Sequence, residues 1–195
     1  MRIKMKLNSH SHLKNIFIAK CLCITSLIIA DNHLTGQTIT VGGSNWIVSV
    51  PSITEAGSNY AGTYESTSNI ITLSGSLPGS FLNLLSGGAA RVSMHYDVIS
   101  WNNSLHLYAK RSGGTTNISG ICLGCTATIN GGTTYIEIPQ AVDTTFFTIN
   151  FTGVLGLGNS VSYSGINVQL QISGVSVTIP ATTYNAQIVF TIGPN

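Results

Sequence analysis

Apolar residues recur at every second position along the C-terminal part of this chain, and this is the period of a β-strand. The clearest runs are Ile166, Val168, Leu170 and Ile172, and then Tyr184, Ala186, Ile188, Phe190 and Ile192. Shorter runs of the same kind are Trp46, Val48 and Val50, Thr134, Ile136 and Ile138, and Phe147, Ile149 and Phe151. Such alternation predicts strands with one buried face and one exposed face. The best helical segment after the N-terminal region is short, from Phe81 to Ser86.

Glycine-rich clusters separate these runs and predict turns between strands. They are Gly42-Gly43-Ser44-Asn45, Ser112-Gly113-Gly114 and Asn130-Gly131-Gly132. Short strands that alternate with turn signals are typical of antiparallel sandwiches. We therefore predict an all-β fold, an antiparallel β-sandwich of immunoglobulin-like or jelly-roll-like type, formed as a single domain by residues 37–195.

The N-terminal region predicts a secretory leader. Five of the eight basic residues precede an apolar stretch from Cys21 to Ala30, and these five are Arg2, Lys4, Lys6, Lys14 and Lys20. A stretch of this size suits a signal peptide and falls short of the roughly 20 residues that cross a bilayer. We expect residues 1–36 to be a signal peptide cleaved near Gly36, with cleavage after Ala30 or a start at Met5 as alternatives. The mature chain is then secreted, extracellular or on the cell surface, without a transmembrane segment.

The charge left after the leader excludes one class of partner. Residues 37–195 hold three basic side chains against five acidic ones, a net charge of −2. Proteins that bind nucleic acid need clustered Lys and Arg to neutralise phosphates. We therefore predict no binding to nucleic acid.

Asn102-Asn103 stands between two apolar-rich runs and predicts a two-residue hairpin turn, because Asn tolerates the positive φ of such turns. In that register Val98 lies opposite Leu107 on the core face. The other face then collects the candidate ligand-binding residues Trp101, Tyr108, His106, Asp97 and His95. Amphipathic side chains gathered on an outward face are a candidate binding surface. The alternative is that another layer, a loop or a neighbouring subunit covers Trp101 and Ile99.

Cys122 and Cys125 are the cysteines that remain after the leader. In an extended strand their α-carbons would lie roughly 10 Å apart, at about 3.3 Å per residue, which is beyond the roughly 4.4–6.8 Å of a disulfide. A turn with positive φ at Gly124 would bring them together, and an exported protein meets an oxidising environment. We expect a local disulfide, with free thiols as the alternative. Zinc would need two further ligands, for which only His95 and His106 remain.

No arrangement of residues in the sequence marks an active site. The carboxylates are Glu55, Glu65, Asp97, Glu137 and Asp143, and no spacing brings two of them to one cleft, as a glycosidase requires. No Gly-x-Ser-x-Gly elbow or phosphate-binding loop stands in a strand-to-helix context. We therefore predict no catalytic residue, no cofactor and no metal. A secreted hydrolase without a recognisable motif is the third-ranked function.

The leader, the short strands rich in Ser, Thr and Asn, and the closing strand from Tyr184 to Ile192 together resemble secreted bacterial immunoglobulin-like surface subunits and pilin-type subunits. Cys122 and Cys125 differ from the longer-range pair that many such pilins carry. The resemblance implies surface structure or adhesion, with backbone pairing between subunits as an assembly device. Our leading hypothesis is a non-enzymatic surface subunit that assembles with itself or with other surface proteins. The alternative is a carbohydrate-binding module in which Trp101 and Tyr108 stack on a glycan.

Overall fold

The computed structural model describes residues 2–9, 36–52, 58–79, 88–120, 122, 124–153 and 160–195. These residues form twelve strands. In chain order the strands are β1 (Arg2–Ser9), β2 (Thr38–Gly43), β3 (Ile47–Ser49), β4 (Tyr64–Glu65), β5 (Ile71–Pro78), β6 (Ala89–Ser100), β7 (His106–Ser119), β8 (Thr126–Asn130), β9 (Ile136–Ile138), β10 (Thr144–Thr152), β11 (Ser160–Ser173) and β12 (Thr183–Pro194). The predicted helix at 81–86 and the alternative cleavage position after Ala30 lie outside the described residues.

The strands build two sheets, which we call sheet A and sheet B. Sheet A has the order β3-β1-β12-β6-β10-β8, and sheet B has the order β2-β5-β11-β7-β9 with β4 also paired to β11. The strand pairs are antiparallel except for β1 and β12, which run parallel. The predicted all-β antiparallel sandwich is therefore confirmed.

The core lies between the two sheets and is built by the alternation seen in the sequence. Its members from the predicted runs are Trp46, Val48, Val50, Ile138, Phe147, Ile149, Phe151, Ile166, Val168, Leu170, Ile172, Tyr184, Ala186, Ile188 and Phe190. Fully burying a side chain of the size of Leu or Phe stabilises a fold by about 1.5–3 kcal/mol relative to exposure. The two-residue period thus selects the core correctly around β3 and along β10, β11 and most of β12, whereas Ile138 alone of the β9 run is buried.

The predicted hairpin between β6 and β7 is wrong, because the two strands belong to different sheets. Val98 pairs with Ala186 in sheet A and is 43% exposed, whereas Leu107 pairs with Ile172 in sheet B and is 0% exposed. Ala141 is the single residue other than glycine with positive φ among the described residues, so Asn102-Asn103 does not form the expected turn.

The connection instead closes as a turn from Asn102 to Leu105. The Leu105 N–H donates to the Asn102 carbonyl at 2.9 Å, and the Ser104 N–H donates to the Asn102 side-chain oxygen at 2.9 Å. An Asn side chain that accepts from the backbone two residues later sets a local turn without positive φ. The turn carries the chain from sheet A to sheet B.

The cluster Ser112-Gly113-Gly114 does not separate two strands, contrary to the prediction. It lies inside β7, whose register with β11 is unbroken from His106 to Ser119, while the shift of β11 between Tyr163 and Ile166 belongs to its pairing with β5. Gly113 and Gly114 have φ values of 65° and 104°, in the region that glycine adopts without strain. These glycines therefore lie within one long strand and do not form a turn between two strands.

Cys122 and Cys125 form a disulfide, as predicted, with their α-carbons 5.7 Å apart. Gly124 between them has a φ of 69°, which is the positive value that the tight turn requires. The disulfide lies in the connection between β7 and β8. It therefore closes a local loop and does not tie the two sheets together.

Residues Arg2–Ser9 form β1, which lies within the predicted leader. This strand occupies the position between β3 and β12, with eight register pairs to β12 and three to β3. The pairing belongs to the full-length chain, and removal of a leader stays a prediction. Among the described residues, no helix has the length and hydropathy to span a membrane.

Candidate functional site

The five predicted ligand-binding residues do not gather on one face. His95 and Asp97 lie on β6 in sheet A, whereas His106 and Tyr108 lie on β7 in sheet B. Trp101 lies in the connection between the two strands. The hairpin predicted one patch, whereas the structure has three separate places: a polar group on sheet A, a polar group on sheet B, and Trp101 in the connection between them.

Trp101 packs against the protein instead of forming an open platform. Its indole N–H donates to the Leu105 carbonyl at 3.0 Å, and its ring lies 5.6 Å from the ring of Tyr96, centroid to centroid. The side chain is half-buried against the core, whereas Ile99 beside it is 61% exposed. The polar atom of Trp101 is thus used inside the fold, and its ring braces Tyr96.

The polar group on sheet A is centred on His95. Its Nδ1 lies 2.7 Å from Asp143 Oδ1, and its Nε2 lies 3.7 Å from Asp97 Oδ1. Asp143 also accepts a hydrogen bond from the Thr191 hydroxyl at 3.0 Å through Oδ2. In a hydrolase triad the nucleophilic hydroxyl is hydrogen-bonded to the histidine. Here the Thr191 hydroxyl is hydrogen-bonded to the carboxylate of Asp143 instead. We interpret these contacts as structural, because they join β6 and β12 to the segment before β10.

The polar group on sheet B is a row that crosses four strands. Register places Glu65, Gln171, Tyr108 and Glu137 side by side on β4, β11, β7 and β9. The Gln171 side-chain amide donates to Glu65 at 2.8 Å. Leu107 and Ala109, the neighbours of Tyr108, are buried, so alternation puts Tyr108 on the outer face of the sheet. We call these four residues the polar row.

Lys110 and Tyr135 lie beside the polar row. Lys110 Nζ is 4.4 Å from the centre of the Tyr135 ring, which is a cation–π distance. Burial, together with the negative charge of Glu65, raises the pKa of the Tyr135 hydroxyl to about 12. Tyr135 therefore stays neutral at physiological pH and presents its ring to the Lys110 ammonium group.

Arg111 is a cation that the fold uses internally. Its guanidinium donates to the carbonyls of Gly131 at 2.6 Å, Gly113 at 3.1 Å and Ile129 at 3.1 Å. Burial lowers the pKa of this side chain. Arg111 thus fixes β7 to β8 and to the turn after β8, and it is not available to an anionic ligand.

A cavity of about 200 Å³ opens beside the polar row, where the end of β6, the turn at Asn102–Leu105 and β9 meet. Its polar lining consists of Tyr96, Asn103, His106, Glu137 and Gln140. The His106 Nδ1 lies 2.8 Å from Glu137 Oε1. The imidazole and the carboxylate therefore hold each other in place at the edge of the cavity.

The wall formed by Tyr96 is fixed by backbone hydrogen bonds to the segment after β9. The Tyr96 N–H donates to the Pro139 carbonyl at 3.0 Å, and the Ala141 N–H donates to the Tyr96 carbonyl at 3.0 Å. Burial and, to a smaller extent, the charge of Glu137 raise the pKa of the Tyr96 hydroxyl. Tyr96 is therefore a neutral side chain on a strand whose backbone is held in place, and it forms a rigid wall of the cavity.

Sequence reasoning found His106 but missed four residues that line this cavity with it: Tyr96, Asn103, Glu137 and Gln140. In the sequence Glu137 is one of five scattered carboxylates, and Asn103 belongs to the predicted hairpin turn. The cavity depends on β6 and β9 meeting across two sheets, and the incorrect hairpin register hid that contact. The isolated bridge between Tyr96 and Gln140 is the non-local pairing that creates it.

Comparisons with known proteins leave the function to be argued from this geometry. No protein-family model matches the chain, and the search of curated proteins finds no significant match. Within the part of the chain that the structure describes, no group of three or more His, Cys, Asp and Glu side chains could hold a metal ion. The features that remain are the strand position filled by β1, the polar row and the cavity.

Proposed function

We propose that this chain is a secreted, non-enzymatic surface subunit that binds an extended segment of a neighbouring surface protein as an added strand. The observation that carries the proposal is the position of β1. Residues predicted to be removed as part of the leader occupy an interior position of sheet A, between β3 and β12. Cleavage would therefore leave that position open in the mature protein.

An open position of this kind exposes backbone hydrogen-bonding groups. In the full-length chain β12 pairs with β1 from Thr183 to Phe190, and β3 joins the sheet through β1. Without β1, one edge of β12 would lose its partners along those eight pairs. Unpaired strand edges are templates for an incoming strand, and main-chain hydrogen bonds supply much of the affinity in such complexes.

The register also defines which segment would fit. Positions 3, 5 and 7 of β1 lie opposite Tyr184, Ala186 and Ile188, all of which are buried. An added strand on that position needs an apolar residue at every second place, since cross-strand neighbours share a face. Residues 2–9 satisfy this pattern with Ile3, Met5 and Leu7. The partner is therefore a segment with alternating apolar residues.

The test starts from the protein that the producing cells secrete. Intact mass decides whether residues 2–9 are present, and light scattering after size-exclusion chromatography gives the oligomeric state. We expect a cleaved chain that associates at high concentration. A secreted product that retains residues 2–9 would contradict the proposal, because the position would already be filled.

A synthetic peptide with the sequence of residues 2–9 tests the open position directly. We expect the peptide to bind the cleaved protein and to raise its Tm, since a ligand at about 100 times its Kd stabilises the native state by about 2.7 kcal/mol. The matched control is the same peptide with Ile3, Met5 and Leu7 replaced by Ser, which keeps the backbone and the charge. A stable monomer that takes up neither peptide would mean that β3 closes directly onto β12, and would overturn the proposal.

A further inference from the structure

We propose that the cavity lined by Tyr96, Asn103, His106, Glu137 and Gln140 binds one pyranose ring of a neutral glycan. This site is separate from the position of β1, and its argument does not rest on the proposed strand addition. It gives the carbohydrate-binding alternative a different set of residues from the one that the sequence predicted.

The size of the cavity limits the ligand to about one ring. Its volume is about 200 Å³. Sites for drug-sized ligands have volumes of roughly 300–1,000 Å³. A single sugar ring with its hydroxyls is therefore a suitable occupant, and a longer glycan would extend from it along the sheet surface.

The hydrogen-bonding groups of the cavity match hydroxyl groups. His106 Nδ1 faces Glu137 Oε1 at 2.8 Å, and because a carboxylate accepts, Nδ1 is the donor; in the neutral form of the imidazole Nε2 is then an acceptor. The other oxygen of Glu137 is a second acceptor. The side-chain amides of Asn103 and Gln140 add both donors and acceptors. A ligand with several hydroxyls, each able to donate and to accept, satisfies this mixture.

The charge of the cavity favours a neutral ligand over an anion. When His106 is neutral, the negative charge of Glu137 is the formal charge of the five polar lining residues. Lys110 lies over Tyr135, and Arg111 is held by three backbone carbonyls, so the nearby cations are used elsewhere. An anionic ligand would therefore meet a carboxylate without a compensating cation.

The apolar lining suits the C–H face of a sugar. Leu105, Leu107 and Ile138 are buried and line the cavity floor, and Tyr96 is 8% exposed at its wall. The ring of Trp101 and the backbone bonds to Pro139 and Ala141 hold Tyr96 in place. Sites that bind small ligands combine such apolar surface with a few fixed polar groups. Tyr108, next to Glu137 in the polar row, then lies where a second sugar would contact the sheet.

The experiment uses the secreted protein and a panel of methyl glycosides of neutral hexoses at millimolar concentration, with the His106 imidazole signals followed by NMR. Sialic acid and calcium ions are included as anionic and cationic probes. We expect at least one neutral glycoside to shift the His106 signals in a saturable way. Absence of any shift, or saturable binding of sialic acid or calcium alone, would overturn the proposal.

Variants then assign the binding to the cavity. Glu137→Gln removes a charged acceptor and should raise Kd for the glycoside roughly tenfold or more, since hydrogen bonds to charged groups are worth roughly 1.5–3 kcal/mol. Gln140→Ala provides a second variant at an exposed position, which is expected to fold normally. The matched control is Glu65→Gln, a carboxylate in the same polar row but outside the cavity lining. Equal loss of binding in Glu65→Gln and Glu137→Gln would refute the assignment.

Discussion

Leu107→Ala and Val98→Ala form a matched pair that tests how the two sheets are built. Leu107 is 0% exposed between Ile172 and Ile138 in sheet B, whereas Val98 is 43% exposed near the end of β6 in sheet A. If β6 and β7 formed one hairpin, Val98 and Leu107 would share the core face and their truncation would have similar costs. The observed topology predicts different costs.

The magnitudes follow from burial. Truncating Leu107 to Ala removes about three buried carbons. Their transfer from water to the core contributes about 0.8 kcal/mol each, or about 2.4 kcal/mol in all. The cavity left behind adds to this, so we expect a loss of about 2–5 kcal/mol in the free energy of unfolding. Truncating Val98 removes partly exposed carbons and leaves no enclosed cavity, so we expect a loss of about 1 kcal/mol or less.

Urea denaturation of the wild type and both variants measures these losses. The free energy of unfolding is extrapolated to water, and the slopes are compared to show that each variant unfolds with the same change in exposed surface. Val98→Ala is the control for Leu107→Ala, because both shorten an aliphatic side chain on the strands that flank the same turn. Losses that agree within about 0.5 kcal/mol, which is the usual range for surface substitutions, would refute the two-sheet arrangement.

Two further predictions concern the disulfide and the alkaline limit of stability. Replacing Cys122 and Cys125 together by Ser should lower the free energy of unfolding by only about 1–2 kcal/mol or less, because stabilisation by a disulfide grows with the length of the loop that it closes. Unfolding of the double variant at room temperature without urea would contradict this. The raised pKa of Tyr135, about 12 in the folded chain against 10.0 for the free side chain, means that the unfolded chain loses this proton first as pH rises. Stability should therefore fall between about pH 10 and about pH 12, and Tyr135→Phe should make this fall shallower in urea titrations at each pH, with Tyr108→Phe as the control.

The alternating runs predicted the core because burial on one face of a strand imposes a period of two on the sequence itself. Ile166, Val168, Leu170 and Ile172 are all buried on one side of β11, as their spacing indicated. The same is true of Phe147, Ile149 and Phe151 on β10. A property that each strand carries locally can be found without knowledge of its neighbours.

Strand pairing was not predictable in the same way, because it depends on which distant strand completes each edge. Asn102-Asn103 fits a tight hairpin by composition, yet the bond from the Leu105 N–H to the Asn102 carbonyl makes a turn that changes sheets. Gly113-Gly114 fits a turn by composition, yet β7 continues through it because β11 pairs with the residues on both sides. In both places the local residues permit two structures, and long-range pairing selects one of them.

The candidate site was not predictable from the sequence for the same reason. Exposed polar residues carry no periodic signal, so their grouping follows from register alone. Because β6 and β7 belong to different sheets, His95 and His106 do not share a face. The partner of His106 is Glu137, whose Oε1 lies 2.8 Å from the imidazole Nδ1 of His106. The cavity residues Tyr96 and Gln140 meet through a single bridge between segments far apart in the chain.

The first nine residues combine the basic charge that predicts a secretory leader with the two-residue apolar period of a β-strand. Arg2, Lys4 and Lys6 contribute the positive charge that predicts a leader, and the apolar residues between them are Ile3, Met5 and Leu7. That alternation is itself a strand pattern, and the register places it opposite the buried residues of β12. The charge that predicts a leader does not require a two-residue period, whereas pairing with β12 uses one. If the leader is removed as predicted, β12 loses these partners from Thr183 to Phe190, and this open edge is the one on which the proposed strand addition depends.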